Sequence, residues 1–359
     1  MVLAGLVFAF IVATAVVAPL LVYSAALAMF GAAHVLSELR YVDRRFGRRL
    51  GIPYAAAIGP LLAGVVAARA GGVSGFLDPQ TAMMLELSFV VALALSAAKG
   101  GLLQQALAVG IALALGVATL VSPFDTAISL SILHNLTPLA FLWEISRPGS
   151  RLRVMAVALV AFIGLPLLVA TGVPRLALAA VGFVAPSIDP FGAGTLANHL
   201  YVYVPPPLQD SGAAIDLFAA SVVAQCAHYA AVILVLPAML AAHDPEAAGL
   251  VAWPRGRIFW AALIFLSSIV VWRFSIGFVS ARALYGIAAS LHAWVEIPLI
   301  IIAITRNSQG NNTNPVSAEA RLAMPETISA LVGDSPATQP MIAASTTITA
   351  ASVQPTVGQ

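Results

Sequence analysis

His34, His134, His228 and His292 each stand inside a separate long apolar segment of this chain. Glu38 follows His34 by four residues, Glu296 follows His292 by four, and Glu144 lies ten beyond His134. An ionisable side chain at membrane depth is costly and marks a group that faces the bundle interior and has a function there. Imidazoles drawn from several helices are a ligand set for iron, copper or haem. The i,i+4 spacing puts His34 with Glu38, and His292 with Glu296, on one helix face. From there a carboxylate can ligate a metal, accept from an imidazole N–H or relay a proton.

Other polar residues cluster with them. Asn135 and Thr137 follow His134, and Pro138 weakens the helix there, freeing a carbonyl. Gln225 and Tyr229 flank His228, while Trp143 and Trp294 are candidates for the wall of an apolar pocket. The candidate metal ligands are therefore His34, His134, His228 and His292. Glu38, Glu144 and Glu296 are candidates for proton chemistry, and Asn135, Tyr229 and Trp294 for contacts to a cofactor or substrate. A lone histidine in a membrane helix commonly just bonds a neighbouring helix; four at compatible depths argue for a shared site. His199 and His243 fall in loops, where solvation is expected. Glu86 reads as a partner for a neighbour or as the lining of a wet cavity. Glu144 reads equally well as an interfacial residue beside Arg147.

The elements that carry these residues are membrane helices. Hydrophobic residues make up 60% of the 359, and charged residues 9%, against about 25% in soluble chains. The apolar runs predict an all-α, polytopic protein with about nine spans: 8–36, 52–69, 81–98, 101–121, 126–146, 154–173, 214–241, 258–273 and 279–305. Only helices satisfy their backbone in lipid over such lengths. The first run is too long for one upright span, so it tilts, breaks near Pro19 or begins on the surface. With no basic residues ahead of it, it reads as a span rather than a cleaved signal peptide. The 154–173 segment has no ionisable residue and reads as lipid-facing scaffold, with Gly164 and Pro166 as packing or kink positions.

Arginines crowd 40–51, 147–153 and 242–257, and Arg306 follows the last span. Nine spans put all of these on one side, which the positive-inside rule makes cytoplasmic, with the N-terminus outside. The expected location is the inner (plasma) membrane. The 174–213 connection, rich in Pro, Gly and aromatics, either lies at the headgroups or caps a cavity. The chain divides into a transmembrane domain, 1–306, and a polar tail, 307–359, that lacks a core and is expected to be disordered and cytoplasmic. A net charge of +2 points away from nucleic acid, and the single Cys226 excludes an internal disulfide or a cysteine-based cluster. No Gly-rich phosphate loop, HExxH or GxSxG is present.

Four short motifs carry a family resemblance. Ala33-His34-Val-Leu-Ser-Glu38, Leu133-His134-Asn135, Ala227-His228-Tyr229 and Leu291-His292-Ala-Trp-Val-Glu296 stand where the multi-pass β-carotene-cleaving oxygenases (the Brp/Blh-type family) place histidine motifs. This chain departs from that pattern in its first motif, which lacks the Pro-Gly frame and has Glu for Asp. The second motif lacks Phe-Gly, and the third lacks an additional histidine. The resemblance implies one non-haem iron held by four histidines and a carotenoid substrate. The residues themselves read first as a membrane-embedded, metal-dependent oxygenase or oxidase, with four imidazoles holding Fe(II) and apolar walls admitting an isoprenoid or acyl chain. Two other functions fit the residues. One is a haem-binding electron carrier with paired axial histidines; the other is a proton-coupled transporter.

Overall fold

The computed structural model describes residues 2–183, 190–244, 247–254 and 256–310. The described regular elements are all helical. They are α1 (Val2–Val17), α2 (Pro19–Val42), α3 (Arg48–Ser74), α4 (Pro79–Ser96), α5 (Leu102–Val121), α6 (Pro123–His134), α7 (Thr137–Ile145), α8 (Pro148–Leu159), α9 (Leu165–Ala170), α10 (Val173–Ala180), α11 (Ala214–Ala230), α12 (Leu236–His243), α13 (Gly256–Ile276) and α14 (Phe278–Gly310). Among the described residues, eight continuous helical stretches are long and apolar enough to cross a membrane. The protein is a multi-pass helical membrane protein.

The longest stretch, Pro19–Ser74, has 56 residues, which at 1.5 Å per residue far exceeds a bilayer. It bends at Gly51, whose φ of 77° and ψ of 173° lie outside helical geometry and suit a residue without Cβ. The expected first and second spans lie on either side of that bend. The long 8–36 run breaks at Ala18 (φ −135°, ψ 66°), and α2 restarts on Pro19, whose missing N–H costs nothing in a first turn. The 154–173 segment kinks as its residues suggest. A π-turn over Val160–Gly164 runs into Pro166, and Val157, Val160 and Leu167 stay exposed to the surrounding apolar phase. A second π-turn, Ala231–Val235, stands before Pro237 in the same way. Helix α14 continues through 307–310, past the expected boundary at 306. The rest of the proposed tail, 311–359, lies outside the described residues.

Helices in lipid gain little from hydrophobic burial against one another, so close packing must hold them together. Helix α2 packs on α1, α11 and α13, and α4 packs on α3, α5 and α6. Two large apolar cores and two small ones result among the described residues. Of the large ones, one gathers Tyr41, Phe46, Phe141, Leu236 and Leu299, and the other Tyr23, Phe218, Phe274 and Phe278. The histidines stand at the seam between these two. On α2, Ala28 belongs to one core and Tyr41 to the other, with His34 between; His292 lies likewise between Ala281 and Trp294 on α14.

Polar contacts tie two of the arginine-bearing segments, 40–51 and 242–257, to each other and to α7 at one end of the bundle. Asp43 accepts from the Leu250 and Val251 backbone N–H groups (2.9 and 3.1 Å) and from Trp253 Nε1 (2.9 Å). Arg44 Nε donates to the Ala247 carbonyl (2.8 Å), and Arg45 grips Glu144 with two bonds of 2.6 and 2.9 Å. At the turn before α4, Asp78 caps the helix by accepting from the Thr81 N–H (2.9 Å). Hydrogen bonds from the Thr81 side chain and backbone hold that carboxyl below its usual range.

Candidate metal centre

The site begins with a break in a helix. Helix α6 ends on His134 because Pro138 has no N–H to offer the carbonyl four residues back. Thr137 Oγ1 donates to that carbonyl instead, at 2.8 Å. The chain turns over Asn135 and Leu136 and resumes as α7. His134 is thereby left at a helix end, where its ring meets rings from α11 and α14. Centroid distances are 4.6 Å to His228 and 5.0 Å to His292.

All four sequence-predicted histidines converge, each offering a ligand atom within 4.8 Å of the others'. His34 Nε2 and His292 Nε2 are 3.1 Å apart. Metal–imidazole bonds of about 2.1 Å place ligand atoms on one ion roughly 3–4.2 Å apart, so closing the set needs a contraction of about half an ångström. His34, His228 and His292 are no more than 2% exposed. The ring of Tyr229 stacks on His34 at 4.1 Å and fixes its plane. Gly31, one turn earlier, admits Tyr285, whose ring would lie 2.9 Å from any Cβ at that position.

Glu38 and Glu296 are both fully buried, but neither serves the histidine of its own helix. Glu296 accepts from His134 Nδ1 at 2.7 Å and from Thr137 Oγ1 at 2.9 Å. Since a carboxylate only accepts, His134 Nδ1 carries the hydrogen and Nε2 is the lone-pair atom. Glu38 Oε2 stands 3.4 Å from His228 Nε2 and 4.0 Å from His292 Nε2. Among the described residues, neither Glu38 oxygen, nor either nitrogen of His228, closes a hydrogen bond. Leaving such groups unsatisfied costs about 1–3 kcal/mol each, more when charged. A cation among these imidazoles would satisfy Glu38 and the inward lone pairs together. The donor set, nitrogen and oxygen without sulfur, suits a first-row transition ion.

Three of the imidazoles, His34, His134 and His292, line a cavity of about 540 Å³, while His228 and Glu38 lie outside its lining. The cavity is mostly apolar, with Met83, Leu87, Ile128 and Trp294 in its wall. Asn135 lines it too, bonding Ser131 O through Nδ2 at 3.1 Å. Trp294 Nε1 donates to Glu86 at 2.8 Å, and the same carboxylate pairs with Arg69 at 2.6 Å. Tyr229 accepts from Gln225 Nε2 (2.9 Å), whose Oε1 takes a bond from the Tyr203 hydroxyl (3.3 Å). From the 174–213 connection, Tyr201, Val202 and Tyr203 close part of the cavity, so this part of the segment caps it.

Other residues are placed elsewhere. Glu144 is held by Arg45, with Arg49 at 3.8 Å, in the arginine-rich end rather than among the imidazoles. Its neighbour there is Arg45, not Arg147, because α2 and the π-turn Asp43–Gly47 that follows it deliver Arg45 to that corner. Trp143 is 42% exposed and lies under Arg151, outside the cavity lining. His199 is not solvated. It is 1% exposed, bonding Ala193 O through Nε2 at 2.7 Å and meeting Arg282 Nη1 at 2.9 Å through Nδ1. His243 ends α12 and bonds the Met239 carbonyl (2.7 Å). No signal in the sequence singled out Tyr285, Arg69 or Arg282, which α3 and α14 bring to the cavity.

Comparison with known proteins finds no matching family model, curated relative or solved structure.

Proposed function

We propose that this protein is a membrane-embedded, non-haem iron oxygenase or oxidase acting on a lipophilic substrate. The observation that carries the reading is the four-imidazole cluster, with Glu38 against it, three of whose rings line a largely apolar cavity. The resemblance of the four histidine motifs to the β-carotene-cleaving oxygenases favours iron over other ions that imidazole suits.

His34, His134, His228 and His292 would hold the metal, which when bound would supply redox chemistry towards O₂. Glu296 fixes the tautomer of His134 and raises its basicity. Glu38, sealed behind the imidazoles, neutralises charge there and can hold a proton. The apolar wall excludes water and admits a hydrocarbon chain. A haem reading is disfavoured, since four imidazoles converge on one point, whereas a haem iron takes one axial ligand on each face and its macrocycle would need the space that the other two rings fill. A proton-coupled path is disfavoured because the packed core of Tyr41, Phe141, Leu236 and Leu299 stands beyond the cluster. The arginine-rich end, with the chain's C-terminal side, is proposed to face the cytoplasm of a plasma membrane.

The test is metal and spectral analysis of protein purified in detergent and reconstituted with Fe(II) without oxygen. One iron per chain, no Soret band and O₂ uptake on adding a lipophilic substrate are expected. A Soret band, or failure to retain any transition metal, would overturn the reading. Reporter fusions at Arg49 and Pro148 should both read cytoplasmic; an external signal from either reverses the orientation.

A further inference from the structure

The imidazoles occupy one end of the cavity, and a cation occupies the other. Arg282 lines it beside Tyr23 and Tyr201, ten residues before His292 on α14. That spacing is roughly 15 Å of helix rise. Arg282 is positioned by its neighbours: one guanidinium nitrogen meets His199 Nδ1 at 2.9 Å, another donates to the Tyr201 hydroxyl, and Tyr23 also faces it. His199 is itself anchored through Nε2 to the Ala193 carbonyl. Among the described residues, Arg282 makes no salt bridge.

A second guanidinium stands close by. Arg69 Nη1 lies 3.7 Å from where a Cβ on Gly286 would be, one turn along α14 from Arg282. Arg69 has Glu86 as its carboxylate. Two arginines and one glutamate therefore stand in the lining, and among its described residues the one carboxylate, Glu86, is paired with Arg69 rather than Arg282. A guanidinium with donors held toward an apolar cavity recognises planar or tetrahedral oxyanions.

We propose that the cavity binds an amphiphile with an anionic head, a carboxylate or phosphate, held by Arg282 with Tyr201 and Tyr23. Its hydrocarbon chain runs past Tyr285 and Trp294 to the imidazoles. This rests on the proposed function only in reading the cavity as the substrate site; the head-group preference is independent of the metal and of turnover.

The experiment is equilibrium binding by the purified, full-length protein, read as quenching of tryptophan fluorescence. The probes are dodecanoate, dodecyl phosphate and dodecanol. Either anion should bind at least about tenfold more tightly than the alcohol, the scale of one charge-assisted hydrogen bond. The tighter of the two identifies the head as carboxylate or phosphate. Arg282→Gln should abolish the preference and leave dodecanol binding and metal content unchanged, whereas Arg282→Lys should keep most of it. Equal binding of alcohol and anions by the unaltered protein overturns the proposal even if Arg282→Gln fails to fold. So does an anion preference that survives in Arg282→Gln. Iron content is measured on the same samples, so loss of the metal reading and loss of this one are told apart.

Discussion

Replacing Glu296 by Gln separates a carboxylate that tunes a ligand from one that is merely buried. The amide can keep the geometry. Its oxygen can accept from His134 Nδ1, now 2.7 Å from Oε2, and its nitrogen can donate to Thr137 Oγ1, now 2.9 Å from Oε1. The threonine proton then goes wholly to the His134 carbonyl, which it already reaches at 2.8 Å. Shape, tautomer and hydrogen-bond count are conserved, and one negative charge behind the ligand is lost. Loss of such a partner lowers metal affinity about 10–100-fold, or about 1.4–2.7 kcal/mol. Competition against a chelator of known affinity, using Fe(II) without oxygen, measures it. Glu296→Ala should cost more, because His134 Nδ1 loses its acceptor inside the bundle and its tautomer is no longer fixed. Unchanged affinity in Glu296→Gln would show that the carboxylate does not act on a metal through His134. Complete loss of binding would make Glu296 a ligand itself, against its bond to His134.

His228→Ala and His292→Ala should each remove most of the bound metal, measured per chain by elemental analysis. His199→Ala should retain it while lowering thermal stability by about 1–3 kcal/mol, since Arg282 and the Ala193 carbonyl lose a buried partner. Glu144→Ala should likewise retain the metal and destabilise the arginine-rich end, seen as a lower unfolding temperature, because Arg45 is left with its two bonds broken in a mostly buried place. Metal loss in either of these two variants would contradict the placement of His199 and Glu144 outside the cluster.

The helices and the four histidines were legible in the residues, because an apolar run of membrane length has only one way to satisfy its backbone and a histidine inside it has few places to go. The break near Pro19 was one of three readings open to the long first run, and Pro166 marked a packing or kink position, because a missing N–H is a local fact; the π-turn itself was not legible. Nor were the partnerships. The i,i+4 spacing of Glu38 and Glu296 says that each points the same way as its own histidine, into the bundle. Which imidazole it then meets depends on how α2, α6, α11 and α14 are rotated against each other. That rotation gave Glu296 to His134 and put Glu38 beside His228. It also sent Glu144 to Arg45 and paired the half-buried Arg282 with the buried His199. Periodicity and composition determine what a helix carries and how deep it lies; only packing between helices distant in sequence decides which charges find each other.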